Sequence, residues 1–267
     1  MGNRFLVFLA KLSDKCVTLH PNYTQTHKMK IPDIKELVLY ENDDLLVINK
    51  PPLISSLDER DGSRNNILRI AKLAYPDAQL CHRLDKETSG CLIIAKNEVC
   101  YRHVAIEFEK RRVLKIYHAV INGTHNFVDL EVDLPIDRTT KGVVRIDPNG
   151  KQSITFFNSI QFFKHYTLVR CVPITGRMHQ IRIHLATQRA TIVADDFYGG
   201  ANAFLSKIKR GYKLGKFSDA ERPMMQRLAL HAHQIKFFIN ETEQIEVTAP
   251  YPKDFDVLIK LLAKYDS

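Results

Sequence analysis

The stretch His82-Arg83-Leu84-Asp85-Lys86-Glu87-Thr88-Ser89-Gly90 sets an aspartate between two cations and closes on a polar turn that ends in glycine. Nearby positive charge favours the ionised form of a carboxylate, which can then act as a nucleophile or a base. The same residues also fit a surface turn, whose exposed ion pairs are worth only ~0 to 1 kcal/mol. A second run bears on the choice. In Thr175-Gly176-Arg177-Met178-His179-Gln180-Ile181-Arg182-Ile183-His184-Leu185, Arg182 offers the carboxylate a partner from elsewhere in the chain.

Around these two runs the chain reads as a β-rich domain. Leu37 to Tyr40 and Leu45 to Ile48 flank Asn42-Asp43-Asp44, a strand, turn, strand signal that Pro51-Pro52 stops. Ile67, Ile70, Ala71 and Ala74 recur at helical spacing up to Pro76. Cys91 to Ala95 predicts a short buried strand, and Asn97 an N-cap for a helix burying Tyr101, Val104, Ala105 and Phe108. Further strands are expected at 113–121, 152–163 and 166–174, then a helix from Met178 to Gln188. A hairpin (His231 to Phe238, Gln244 to Val247) and a helix using Phe255, Leu258, Ile259 and Leu262 end the chain. Strands outnumber helices and short turns join most of them. The expected class is α+β, with a mixed, largely antiparallel central sheet flanked by helices and loops. Residues 1–36 hold six basic and three acidic side chains with little periodicity. They read as a short basic N-terminal appendage to a main domain over 37–267.

A chain of 267 residues can bury a substantial core. Its five cysteines are odd in number and never spaced Cys-x-x-Cys, so neither a disulfide framework nor a zinc ribbon is suggested, and a reducing cytoplasm is expected. The N-terminal apolar run covers only Phe5 to Ala10, and no run approaches the ~18 residues of a membrane span. A soluble, unexported protein with no membrane partner follows as an expectation. The net charge of +9, from 39 Lys+Arg against 30 Asp+Glu, points first to a polyanion. Lys207, Lys209, Arg210, Lys213 and Lys216 crowd a segment broken by Gly211 and Gly215. Such a segment suits phosphate contacts, or is merely a solvated loop.

No nucleotide-binding glycine loop, zinc-protease helix or serine-nucleophile elbow occurs, so the chemistry must come from side chains alone. His179, His184, His231 and His233 with Asp195 and Asp196 are the imaginable metal ligands. Their spacing matches no catalytic zinc site, and no metal is expected.

Taken together and in order, several motifs carry a resemblance. They are Asn49-Lys50-Pro51, His82 to Gly90, Arg111-x-Val113-x-Lys115-x-Tyr117-x-Ala119-Val120-x-x-Gly123, Thr175 to Leu185, Asp195-x-x-Tyr198-Gly199, Leu230-His231-Ala232 and Ala249-Pro250. This series resembles the RluA family of pseudouridine synthases over about residues 37–260. The resemblance implies the pseudouridine synthase fold with a central active-site cleft, and isomerisation of uridine in ribosomal RNA or tRNA without a cofactor. Asp85 is then the catalytic aspartate, as nucleophile or base, with Arg182 paired to it and Tyr117 packed against the target base. Arg83 would help to fill the helix when the base is flipped. His82, Arg177 and His179 join it as expected RNA contacts, together with Lys207, Lys209, Arg210 and Lys213. Residues 1–36 depart from the small RNA-binding module that many members carry. RNA is the expected partner and no obligate protein partner is evident. A competing reading keeps the synthase scaffold but makes it an RNA-binding or RNA-remodelling protein whose catalysis is dispensable. A metal-dependent nucleic-acid hydrolase is the third.

Overall fold

The computed structural model describes residues 32–58, 65–140, 142–215 and 219–267. Most of the expected appendage, residues 1–31, and Lys216 of the basic segment lie outside the described residues. One compact unit spans Pro32–Ser267, starting a few residues before the expected boundary at 37 because Ile34 is already buried beside Ile48 and Ile70.

A single turn of tight helix, Ile34–Leu37, leads into β1 (Val38–Glu41) and β2 (Leu45–Lys50). The Asn42 side chain closes the turn between them by accepting from the Asp44 and Leu45 N–H groups. Next come α1 (Ile67–Ala74), β3 (Gln79–Leu80), β4 (Ser89–Ala95) and α2 (Glu98–Glu109). The strands β5 (Leu114–Asn122), β6 (Leu130–Asp133), β7 (Ile136–Arg138), β8 (Val144–Ile146), β9 (Ile154–Phe162) and β10 (Tyr166–Pro173) follow. Then come α3 (Gln180–Thr187), the four-residue α4 (Leu205–Ile208), β11 (Leu230–Phe238), β12 (Gln244–Thr248) and α5 (Lys253–Tyr265).

Ten strands form one mixed sheet in the order β1-β2-β4-β11-β5-β10-β9-β6, with β3 added to β4 and β12 to β11. Only the β4–β11 pair is parallel; the other pairs are antiparallel, as the short turns predict. Alternation along β2 and β4 sends Leu46, Ile48, Leu92 and Ile94 to the face covered by α1, and Leu45, Val47, Cys91 and Ile93 to the face covered by α2. With both faces covered, these strands read as unbroken apolar runs. The other half of the sheet is closed by α3 and by Phe255, Leu258 and Leu262 of α5.

The cap expected at Asn97 is present, its side chain accepting from the Cys100 N–H at 2.9 Å, and Asn66 caps α1 in the same way by accepting from the Arg69 N–H at 3.0 Å. The buried stripe of α2 runs through Cys100, Val104 and Glu107, leaving Tyr101, Ala105 and Phe108 partly exposed. Glu107 can be buried because the Arg112 fork meets both of its carboxylate oxygens. The helix expected from Met178 starts at Gln180, since Thr175 to His179 is a tight turn with His179 at φ +54°. Not foreseen were β6 and the separate β7–β8 hairpin, which lies over α3 through Ile136, Val144 and Ile183.

At the back of β11, imidazoles are buried in neutral form. His118 meets the Tyr251 hydroxyl at 2.5 Å and stacks on His233 at 4.1 Å. His231 bonds Ser89 Oγ at 2.9 Å and the Ala249 carbonyl at 3.2 Å. Burial first, then neighbouring imidazole charge, pushes His118 down to about 3; burial likewise pushes His231 down to about 4. Each ring takes a proton more readily unfolded than folded, so the stability it supports is complete above about pH 6.5 and is lost as pH falls toward 4 and 3. Between pH 7 and pH 5 the expected loss is roughly 2 kcal/mol per histidine, read as a falling urea midpoint. His118→Gln should flatten that slope, and a pH-independent midpoint would show that these rings protonate in place.

Candidate active site

Asp85 lies on the link between β3 and β4, and four devices fix that link. Lys50, fully buried at the end of β2, donates its ammonium hydrogens to the carbonyls of Pro51 (2.9 Å), Ile54 (2.8 Å) and Lys86 (3.2 Å). Burial pushes its amine down to about 7, with the Arg227 charge acting the same way and Asp85 opposing. Ser56 Oγ donates to the Leu84 carbonyl and accepts from the Leu84 N–H. On the far side Arg227, gripped by both Asp254 oxygens, donates to the Glu87 carbonyl at 2.8 Å. The fourth device is Gly90, at φ +112°, where a Cβ would sit 2.1 Å from the Ala232 carbonyl oxygen.

The Asp85 carboxylate faces a cleft of ≈ 200 Å³ whose walls include Arg83, Lys115, Tyr117, Arg138, His179 and Arg182. Its Oδ2 is 3.5 Å from Arg182 Nη1 and 3.8 Å from His179 Nε2. Its Oδ1 has no hydrogen-bond partner among the described residues. The expected pairing of Arg182 with Asp85 is present, but through one nitrogen rather than the two-pronged fork. Nε and Nη2 of Arg182 donate to the two oxygens of Asp195 at 2.9 and 2.6 Å, leaving Nη1 alone for Asp85. The reason is local: α3 and the turn after Ile192 are neighbours, and both Arg182 and Asp195 are fully enclosed, so the buried carboxylate needs the bidentate partner more than the half-open one does.

His179 extends this network. Its Nδ1 meets the Tyr198 hydroxyl at 3.0 Å, and the Tyr198 and Phe197 rings lie 5.2 and 5.3 Å from the Arg182 guanidinium carbon. Burial, followed by the Arg182 charge, holds the imidazole below its ordinary range, so the ring is neutral at pH 7. The α3 end is tied down by buried Gln180, which accepts from the Thr175 hydroxyl and the Arg177 N–H and donates to the Ile154 carbonyl. Tyr117 projects from β5 between the two main apolar clusters, and burial pushes its phenol well above the ordinary range, with Asp85 adding to the shift.

Of the expected RNA contacts, Arg83, Arg177 and His179 line this cleft. His82 turns away from it: its Nε2 accepts from the Ile93 N–H at 3.1 Å, its ring packs 5.0 Å from Phe108, and burial pushes it down to about 3. Lys207, Lys209, Arg210 and Lys213 are not among the cleft residues; Lys209 lies 5.2 Å over the Tyr265 ring of α5. Five cleft or support residues had no such role assigned from the sequence. Lys50, Lys115 and Asp195 stand inside quoted motifs, which was the available signal. Arg138 is delivered by the unforeseen β7, and Arg227 has no local signal at all. The residues once imaginable as metal ligands have other work: Asp195 holds Arg182, and His184 bonds Thr155 Oγ1 and the Leu134 carbonyl. Among the described residues no group of three or more His, Cys, Asp or Glu is placed to hold a metal ion.

A carboxylate with one oxygen uncommitted, beside a phenol and a guanidinium at the centre of a mixed sheet, defines a base-handling site of the pseudouridine synthase type. The RNA pseudouridylate synthase family model matches residues 44–187, and the chain belongs to that family. The ribosomal large subunit pseudouridine synthase C of Vibrio vulnificus is 33% identical over 238 residues, covering 87% of this chain and 71% of that protein. Synthase D of Vibrio cholerae is 29% identical over 252 residues, covering 91% and 76%. Among solved structures, human RNA Pseudouridylate Synthase Domain Containing 1 superposes with a TM-score of 0.64 at 26% identity, covering 89% of this chain and 91% of the human one.

The Arg182 geometry has a direct consequence. Asp195→Asn keeps the volume but gives Arg182 a neutral partner, freeing the guanidinium to swing onto Asp85. Turnover should fall at least about tenfold, and Arg182→Lys should fall further because one ammonium cannot reproduce the fork. RNA affinity should change less than the single-turnover rate. A folded Asp195→Asn protein with parental turnover would remove Asp195 from the machinery.

Proposed function

We propose that this protein isomerises specific uridines to pseudouridine in structured RNA, with Asp85 as the reacting carboxylate. The observation that carries this reading is the state of Asp85: it is held at the cleft by a fixed loop, with Oδ2 nearest to Arg182 and His179, and faced by a fully buried arginine already committed to Asp195. In the reaction the bond from ribose carbon 1 to uracil N1 breaks. Asp85 either attacks carbon 1 or removes the proton of the adjacent ribose carbon. The uracil turns and rejoins carbon 1 through its carbon 5 as the bond from Asp85 to carbon 1 breaks or, on the other route, as Asp85 returns the ribose proton; carbon 5 then releases its proton, while N1 gains one. No electrons are gained or lost. The buried phenol of Tyr117 keeps its proton and packs against the base. A uridine cannot be rearranged inside an intact stack, so it must be extruded at a cost of a few kcal/mol, and Arg83 and Arg177 are placed at the mouth to offset it.

The relatives' names point to ribosomal large-subunit RNA as the substrate class, with tRNA as the other structured RNA to test. A site of action in the cytoplasm agrees with the free thiols among the described residues. A purely RNA-binding role leaves the free oxygen of Asp85 without a use.

Asp85→Asn is the decisive variant, because it keeps the shape of the side chain and removes the charge that either step requires. RNA labelled with tritium at uridine carbon 5 should release tritium with the parent protein, on the transcripts whose pseudouridines disappear from cells lacking the gene. The variant should release less than a few per cent of that while binding RNA at least as well. Sustained release by the variant would remove Asp85 from the chemistry.

Lys207, Lys209, Arg210 and Lys213 should add phosphate contacts without base readout. Replacing three of them by Gln should weaken RNA binding and flatten the dependence of log Kd on log salt by about 0.7 to 0.9 per lost contact. An unchanged slope would place this segment outside the interface.

A further inference from the structure

Phe197 is 70% exposed, like Asp196 before it, although Asp195 two residues back is buried and Tyr198 after it is half-buried. It does not stand in open surface. Its ring lies 5.8 Å from the His179 ring and 5.3 Å from the guanidinium carbon of Arg182, the two groups that face Asp85. The ring therefore sits at the rim of the cleft with much of its area turned to solvent. We propose that Phe197 is a stacking platform for the base of a nucleotide flanking the isomerised uridine, a proposal that rests on the uridine-isomerising reading above.

Three features favour this use. The first is rigidity. The Asp195 carboxylate is clamped by Arg182, its carbonyl accepts from the Tyr198 and Gly200 N–H groups at 3.2 and 2.8 Å, and Gly200 packs so closely that a Cβ there would meet the Ile192 carbonyl oxygen at 1.9 Å. An aromatic ring on such a turn loses little freedom when a base settles on it. The second is company: exposed Arg177 and partly exposed Met178 share the rim, so phosphate and base can be met side by side. The third is redundancy. Tyr198 already covers Arg182 from 5.2 Å, and Arg182 is only 4% exposed, so shielding the ion pair does not need a second ring left largely in water. Flipping a uridine unstacks its neighbours, and an aromatic side chain beside the extrusion site replaces the lost partner without demanding a particular base.

The test uses the full-length protein and a stem-loop carrying the uridine identified by mapping cells with and without the gene. Phe197→Ala, Phe197→Leu and Phe197→Tyr are compared on the parent RNA and on RNAs made abasic at one flanking position at a time. Phe197→Ala and Phe197→Leu should each weaken binding roughly tenfold, with the loss in Kd and KM larger than in kcat, while Phe197→Tyr keeps parental affinity. One abasic position should weaken binding to the parent protein by the same factor and cost Phe197→Ala nothing more. If Phe197→Leu binds like the parent, the ring is only an apolar cover and the proposal falls. It also falls if every abasic RNA loses equally with the parent and with Phe197→Ala. Failure of the parent protein to release tritium from any mapped RNA would instead overturn the reading on which the proposal rests.

Discussion

The two halves of the sheet meet where β4 and β11 run parallel for two register pairs, His231 with Ser89 and Ala232 with Gly90. So short a ladder holds little by hydrogen bonding, and its closeness is what matters. Gly90 lies against the Ala232 backbone with no room for a side chain and with a positive φ that other residues adopt only under strain. The loop that carries Asp85 enters β4 just before this glycine. Anything that pushed the strands apart at Gly90 would carry Asp85 away from Tyr117 on β5 and from Arg182 on α3, because those residues belong to the other half.

The seam explains why three buried cations gather around one loop. Lys50 reaches it from β2, Arg227 from the approach to β11, and Arg182 from α3. Each would be costly alone, since an unpaired charge taken out of water costs several kcal/mol. Each is answered differently. Arg227 has Asp254 and Arg182 has Asp195, in both cases through two oxygens, while Lys50 has three backbone carbonyls and a lowered pKa. Backbone carbonyls, not a carboxylate, are what let Lys50 bind the loop without competing for Asp85.

Much of this was legible in the sequence, and the failures have a common cause. Periodicity of two and of 3.6 located β2, β4, β5, β9 to β12 and the main helices, because those elements bury one face or both. The β7–β8 hairpin buries only Ile136 and Val144 against α3, too little pattern to read, and with it went Arg138. Asp85, Arg182 and Tyr117 were found through motif resemblance, and the structure brings all three to one cleft. What the motifs could not convey is pairing. Asp195 and Arg182 are near in sequence, but their bidentate contact depends on the turn at Ala194, held in the left-handed region, and on Gly200 closing behind it. His82 lies outside the Asp85 cleft for the opposite reason: adjacency to Arg83 suggested a shared place, yet alternate residues on this link face different ways, one onto Phe108 and the next toward the cleft.

Pairing Arg182 with Asp195 also settles what Arg182 can do for Asp85. A guanidinium gripping both oxygens of the carboxylate proposed to react would hold it well and also quench it, since a nucleophile or base needs a lone pair that is not already shared with a strong donor. With the fork spent on Asp195, Asp85 feels a positive charge at 3.5 Å and still keeps Oδ1 uncommitted. Neutral His179 on the same side adds orientation without a second full charge. The site therefore depends on a division between two aspartates: one is buried to fix the arginine, and the other stays partly open, oriented by that arginine but not consumed by it.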